Sequence, residues 1–213
     1  TILKELQSAG SAGEFYTPRP VTQFIVDMVN PKLGDKILDP ACGTGGFLIS
    51  ALNKLKKKVK NVEDWELLQK SLIGIEKKPL PYLLCSTNFI LHDIEIPNLK
   101  HDNSLDKNVR DIKADEKVDI VVTNPPFGGQ EKKETQSNFP QTLRSSETAD
   151  LFLVLIMFIL RDQGKAGIVL PDGSLFGEGA KTRIKEKLLS EFNLHTIVRL
   201  PVGVFNPYTG IRT

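Results

Sequence analysis

The stretch that decides the fold is KILDPACGTGG, residues 36–46. Its first four residues have the pattern of a short buried strand, and three glycines crowd the segment that follows. Residues 47–55 continue with apolar side chains at helical spacing. Because glycines let the backbone turn tightly and approach a ligand closely, the stretch predicts a strand, a ligand-binding turn and a helix at the carboxyl edge of an open sheet.

Strand-like and helix-like segments alternate along the rest of the chain. Strands are predicted at 71–76, 118–123, 166–170 and 194–200, with a weaker one near Lys100. Helices are predicted at 79–91, 149–160 and 178–189. Nearly continuous apolar strands suit a parallel sheet covered on both faces, and the alternation implies right-handed crossovers. The fold class is therefore α/β, with a doubly wound, mostly parallel, Rossmann-like sheet.

The composition is that of an ordinary globular protein. The 213 residues carry a net charge of only +2, with 40% hydrophobic and 25% charged side chains, which fits one domain and excludes a generally basic nucleic-acid binder. Two cysteines cannot build a disulfide framework, and no Cys/His cluster has zinc-site spacing, so no metal is expected. The longest apolar run, 151–160, has about half the length that a membrane-crossing helix needs. These features favour a cytoplasmic protein without a membrane segment.

The glycine-rich turn and the second strand together predict a cofactor. A phosphate-binding loop needs Lys and then Ser or Thr after the glycines, and a dinucleotide turn needs another glycine order; neither is present. Asp39 would repel a pyrophosphate but attract an ammonium group. Glu76 by itself is most simply a charged strand end, but in register with the turn it can accept both hydroxyls of a ribose. S-adenosylmethionine has the ribose and the amino group, and it has no phosphates.

The 118–123 strand runs directly into Asn124, Pro125, Pro126 and Phe127. Consecutive prolines end the strand abruptly, leaving the Asn124 side chain and the Pro125 carbonyl as acceptors at the sheet edge. Two acceptors on one amino group would orient its lone pair for attack on a methyl group, and Phe127 could stack on the ring that bears the amine. The plainer interpretation is a proline-bounded turn with a packed Phe. Since no cysteine nucleophile stands in the tetrad, an amine is a better target than a cytosine carbon.

The tetrad 124–127 resembles the catalytic motif of amino-methyltransferases that act on adenine in DNA. Its context at 13–18, 39–46, 170–173 and 200–211 is similar to the methylation subunit of type I restriction-modification systems. The resemblance covers nearly the whole chain and implies methyl transfer from S-adenosylmethionine to the N6 amine of a flipped adenine. RNA and protein-glutamine methyltransferases share the tetrad, so those acceptors stay open as alternatives, as does a non-catalytic cofactor-binding scaffold.

The resemblance also implies roles for individual residues. The residues that would surround the cofactor's methionine end are Phe15, Tyr16, Thr17 and Pro18, with the turn residues Asp39, Ala41, Gly43, Thr44, Gly45 and Gly46. Glu76 would hold the ribose. The cofactor's adenine amine would meet Asn103, which follows Asp102 and stands where the family usually has an acid.

For the target base, the resemblance implies a catalytic tetrad of Asn124, Pro125, Pro126 and Phe127, in which Asn124 also borders the cofactor. Phe127 would stack on the base. A second aromatic residue against the base would be either Phe205 or Tyr208, and the sequence does not choose between them.

One catalytic domain is implied over 1–213, with an N-terminal cofactor-binding element at 1–35 and a core at 36–213 that lacks its final strand or strands. The implied partners are double-stranded DNA, a specificity subunit, a second methylation subunit and a restriction subunit. The polar loop 128–146, with few apolar anchors, is a candidate to close on DNA. The lysine-rich segment 54–60 could contact DNA phosphates, but a solvated helix end is the simpler interpretation.

Overall fold

The computed structural model of the protein describes residues 16–206 and 209–213. Within them, five strands form one parallel sheet in the order β3-β2-β1-β4-β5. The strands are β1 (Ile37–Asp39), β2 (Leu72–Glu76), β3 (Asn98–His101), β4 (Val118–Thr123) and β5 (Leu160–Ile168). The expected doubly wound parallel sheet is confirmed, including the weak strand near Lys100.

Helices cover both faces of this sheet. They are α1 (Arg19–Val29), α2 (Gly46–Lys56), α3 (Val62–Ser71), α4 (Pro79–Ile90), α5 (Lys133–Ser137), α6 (Thr148–Ile159), α7 (Gly173–Phe176) and α8 (Ala180–Glu191). Alternate strand residues point to opposite faces. Ile37 and Ile120 therefore join the core beneath α1–α4, whereas Leu38 and Val121 pack with Ile156 of α6.

Helices α1 and α3 were not predicted, although both have start signals in the sequence. Helix α1 follows Pro18, has Pro20 in its first turn, and ends at Asn30 in the left-handed conformation at φ 47°. Helix α3 begins after Asn61, whose side chain accepts a hydrogen bond from the Asp64 amide at 2.8 Å. These two helices are marked in the sequence by the residues at their ends and less by the spacing of their apolar residues.

The predicted strand at 194–200 is wrong. The structure assigns no strand to these residues, and Leu194, Ile197 and Val198 are exposed. A strand needs a neighbouring strand to satisfy its backbone groups, and the backbone bond seen here, from the Leu200 amide to the Thr213 carbonyl at 2.9 Å, lies at the end of the segment and builds no ladder.

The predicted strand at 166–170 is shifted. Strand β5 starts directly after α6, and its register against β4 jumps between Leu160 and Lys165. The polar residues around Gly164, which resemble a turn in the sequence, form this irregularity inside the strand.

The loop 128–146 is better anchored than the sequence indicated. It contains α5 and a 3₁₀ turn at Gln141–Leu143, and Phe139 is fully buried against the core beside α6. An isolated antiparallel bridge joins Gln130 to Glu147 at its ends. The few apolar residues of the loop, Phe139 and Leu143, are buried and hold it in place.

Candidate functional site

The carboxyl ends of three neighbouring strands form the candidate site. In the register, Asp39 lies opposite Gly74 of β2, and Leu38 lies opposite Val121 of β4. Strand order reverses between β1 and β4, because the chain builds outward from β1 in both directions. Ligands of open α/β sheets bind at such switch points, outside the carboxyl ends of the strands.

Asp39 places a buried carboxyl at this edge. Its side chain is 1% exposed, and its Oδ1 accepts hydrogen bonds from Thr123 Oγ1 at 2.7 Å and from the Ala41 amide at 3.1 Å. Burial raises the pKa of Asp39 to about 7, because desolvation outweighs these two bonds and the nearby Glu76 charge adds to it. A carboxylate in this position would be stabilised by a cationic ligand.

Glu76 braces the glycine-rich turn. One carboxylate oxygen accepts from the Gly43 amide at 2.8 Å, and the other accepts from the Lys78 amide at 2.7 Å. Each carboxylate oxygen has two lone pairs, so both can still accept from a further donor such as a hydroxyl. Glu76 thus orders the turn and stays available to a ribose.

The turn is shaped by glycines in the left-handed region, with φ of 53° at Gly43 and 86° at Gly45. A Cβ on Gly45 would lie 2.8 Å from Cys85 Sγ, so the backbone fits closely against α4. Cys42 and Cys85 are buried, as small apolar side chains usually are, and their sulfurs lie 3.8 Å apart.

The Asn124 amide is fixed at one end and free at the other. Its Nδ2 donates to Thr17 Oγ1 at 3.0 Å. Its Oδ1 is buried, and no described residue donates to it. Buried polar atoms are nearly always paired, so this acceptor is available to a donor from a ligand or a water. It sits where β4 ends, next to Asp39 and Thr123.

Phe127 and Phe205 meet edge to face, with ring centroids 6.4 Å apart and planes at 87°. They are 4% and 1% exposed. The structure therefore brings Phe205 to the tetrad, whereas Tyr208 and Phe15 lie outside the described residues. Because the Phe127 ring is covered, a base could stack on it only after a neighbouring group moved.

Asp102 and Asn103, predicted to lie near the cofactor's adenine amine, form hydrogen bonds within their own loop. Asp102 is exposed, and its Oδ1 accepts from the Asn103 amide at 2.8 Å. The Asn103 side chain donates to Asp106 at 2.8 Å and accepts from the Leu105 amide at 3.3 Å. These bonds close a local turn beyond β3, so both side chains are engaged locally, and the Asn103 oxygen keeps a second lone pair for an adenine amine.

A cavity of about 360 Å³ opens beside the turn. Predicted residues Tyr16, Thr17, Thr44 and Gly46 line part of it. Sequence reasoning missed the polar residues that complete its wall, among them Arg19, Gln23, Asn88 and His92. They come from α1, from the end of α4 and from the turn after it, and no local motif links these segments.

The lysine-rich segment lies away from this edge. Helix α2 starts at the turn and runs back along the sheet for 11 residues, which is about 16 Å. Lys54 pairs with Asp27 and Lys56 pairs with Asp93, both at 2.8 Å. These pairs agree with a solvated helix end.

Within residues 16–206 and 209–213, no three His, Cys, Asp or Glu side chains are grouped so that they could hold a metal ion. In the same part of the chain, no helix has the length and apolarity needed to cross a membrane.

The family profile described as "N-6 DNA Methylase" matches residues 1–213. The chain belongs to this N-6 DNA methylase family. It is 59% identical to the type I restriction enzyme EcoEI methylase subunit of Escherichia coli, over 100% of this chain and 43% of that protein. It is 33% identical to the EcoKI methylase subunit of E. coli K12, over 93% of this chain and 39% of that protein. The chain thus spans about two-fifths of the length of these relatives.

Solved structures agree with this family assignment. A modification subunit of a putative type I restriction enzyme from Vibrio vulnificus superposes with a TM-score of 0.91 at 50% identity, over 99% of this chain and 46% of that one. The EcoKI M protein superposes with a TM-score of 0.83 at 31% identity, over 93% and 42%. The family resemblance inferred from the motifs is confirmed.

Proposed function

We propose that this chain carries the catalytic core of a type I methylation subunit and transfers a methyl group from S-adenosylmethionine to the N6 amine of adenine in DNA. The observation that carries the proposal is the buried, unpaired Asn124 Oδ1 at the end of β4. It shares the sheet edge with Asp39 and Glu76, whose chemistry suits the cofactor. The relationship to named type I methylase subunits supports the same activity.

The residues at the edge fit S-adenosylmethionine. No described Lys or Arg pairs with Asp39, so its carboxylate suits a cationic ligand. Glu76 has lone pairs left for the ribose hydroxyls, and the turn from Gly43 to Gly46 lets a ligand lie close to the backbone. Tyr16 and Thr17, on the cavity wall, would hold the methionine end. When bound, the cofactor supplies an electrophilic methyl group on a sulfonium.

The chain's own part in the transfer is to orient the amine. Asn124 Oδ1 and the Pro125 carbonyl would each accept one N–H of the adenine amino group. This arrangement directs the nitrogen lone pair outward and stabilises the positive charge that develops on nitrogen. The N–C bond would form as the C–S bond breaks, and the methylated nitrogen would then release one N–H proton to solvent, so no side chain needs to form a covalent bond with the base.

A base inside a duplex cannot reach an acceptor buried at a sheet edge. The target adenine must leave the helix, at an unstacking cost of a few kcal/mol. Phe127 would then stack on the base with Phe205 displaced from its present contact. Stacking on an aromatic side chain contributes about 1–3 kcal/mol per base, which can offset the extrusion.

The proposal includes partners. This chain superposes, with a TM-score of 0.91 at 44% identity, on a structure described as showing complex assembly and conformational transition of a type I R-M system. We place this chain in a comparable cytoplasmic assembly, with a specificity subunit that selects the DNA site, a second methylation subunit and a restriction subunit.

The acceptor is tested with the full-length protein, purified with its specificity subunit, and a methyl-labelled cofactor. DNA, RNA and bulk protein are offered in separate reactions, and the labelled products are digested to nucleosides or amino acids. We expect label in N6-methyladenine from DNA. Label only in RNA or glutamine would favour the alternative acceptors, and cofactor binding without label in any acceptor would favour the scaffold.

A further inference from the structure

We propose that Thr17 is a positioning residue whose hydroxyl holds the Asn124 amide in place at the end of β4. This inference rests on the proposed function, since it assigns the task of presenting the catalytic acceptor. It gives Thr17 a role in the transfer step beyond lining the cofactor's methionine end.

The contact joins two distant parts of the chain. Asn124 Nδ2 lies 3.0 Å from Thr17 Oγ1, across 107 positions of sequence. In a side-chain amide, the nitrogen only donates and the oxygen only accepts. Once the nitrogen is engaged by Thr17, the oxygen must point the other way, where it is buried and has no described donor.

Thr17 is itself firmly held. The next residue, Pro18, accepts from the Val21 and Thr22 amides at 2.9 and 3.1 Å as helix α1 begins. Thr22 in turn shares a buried hydrogen bond with Ser50 of α2 at 2.8 Å. The backbone next to Thr17 is therefore linked through α1 to the helix that follows the glycine-rich turn.

The two amide orientations have opposite consequences. With Nδ2 on Thr17, the site offers an acceptor to the incoming amino group. If the amide rotated by 180°, its NH₂ group would face that amino group, and two donors would meet without an acceptor. The Thr17 hydroxyl can accept from Nδ2 or donate to Oδ1, so it holds the side chain in place, and the donating amino group of the base selects the orientation that presents the oxygen.

The test compares Thr17→Val, which keeps the shape and removes the hydroxyl, with Thr17→Ser, which keeps the hydroxyl. Thr87→Val is the matched control, because Thr87 lies exposed on α4 and bonds only within that helix. Each variant is made in the full-length protein with its specificity subunit. Single-turnover methyl transfer to DNA is measured at saturating cofactor, and cofactor Kd is measured by calorimetry.

We expect Thr17→Val to lower the transfer rate at saturating cofactor by about 10–100-fold, as misplacement of a catalytic group does, in addition to any weakening of cofactor binding. Thr17→Ser should stay within about threefold of the original rate, and Thr87→Val should be unchanged. A weaker cofactor Kd with a normal rate at saturation would overturn the proposal, as would an equal loss in Thr17→Ser.

A second measurement does not depend on activity. With ¹⁵N-labelled asparagine, hydrogen exchange of the Asn124 side-chain NH₂ should be slow in the original protein and in Thr17→Ser, and about tenfold faster in Thr17→Val. Equal exchange in all three would refute the contact. If the original protein put no label into DNA adenine but exchange followed this pattern, the proposed function would fail and the positioning contact would stand.

Discussion

Asp39 allows a quantitative test of the cofactor site. Burial raises the pKa of its carboxyl from 3.8 to about 7, even though Thr123 and Ala41 donate hydrogen bonds to it. The difference of about three pH units corresponds to about 4 kcal/mol in favour of the neutral form. A cationic ligand reverses this preference, because it interacts favourably only with the charged carboxylate.

The sign of the pH dependence follows from linkage. Below pH 7 the ligand-free protein holds a proton on Asp39 that must leave when the cationic cofactor binds. The cofactor Kd should therefore fall by up to about tenfold per unit as the pH rises toward 7, and become constant above about pH 8. The ligand-free protein behaves oppositely: Asp39 protonation stabilises the native state at low pH, and this contribution is lost between about pH 4 and 7.

The assay is calorimetric titration with S-adenosylmethionine from pH 5.5 to 8.5. Asp39→Asn should bind more weakly at pH 8 and should lose most of the pH dependence. Asp27→Asn is the matched control, because a hydrogen bond from Lys54 lowers the pKa of that exposed carboxyl, away from this range. If the Kd of the original protein stayed constant within about twofold, or if Asp39→Asn kept the same pH profile, the Asp39 carboxylate would not be the group that binds the cationic cofactor.

Three further predictions concern the same edge. Gly45→Ala should lower the free energy of unfolding by about 1–3 kcal/mol in urea titrations, because it strains a left-handed turn and crowds α4. Gly210 has open space around it, so Gly210→Ala should change the same quantity by less than about 0.5 kcal/mol, and equal effects of the two variants would contradict this. Phe205→Ala should lower the same quantity by about 3–5 kcal/mol, since the ring is buried, and a change below about 1 kcal/mol would show that it is not packed as described. Thr123→Val should raise the pKa of Asp39 further and weaken cofactor binding at pH 7, with Thr123→Ser close to normal; equal binding in both variants would argue against the hydroxyl's role.

Local sequence patterns carried most of the fold. Strands β1, β2 and β4 are apolar runs that end in special residues, so their positions and their common edge follow from residue types alone. The strand expected at 194–200 shows the limit of this reasoning. Its apolar residues look like a strand, but pairing needs a neighbour that local sequence does not supply.

The candidate site divides in the same way. The Gly43–Glu76 contact could be anticipated, because paired parallel strands bring their carboxyl ends together. The Thr17–Asn124 bond could not, since it joins residues 107 positions apart through the packing of α1. The closed contact of Phe127 with Phe205 was also invisible, because the motif shows which residues meet a base and not how they pack without one.

The central claim is that Asn124 presents an acceptor to the target amine. Its most direct test is the single-turnover rate of methyl transfer to DNA by Asn124→Ala in the assembled complex, at saturating cofactor. We expect a rate lower by at least about 100–1,000-fold, as when one group that stabilises transition-state charge is lost, with cofactor Kd nearly unchanged. An undiminished rate would contradict it and remove Asn124 from the chemistry.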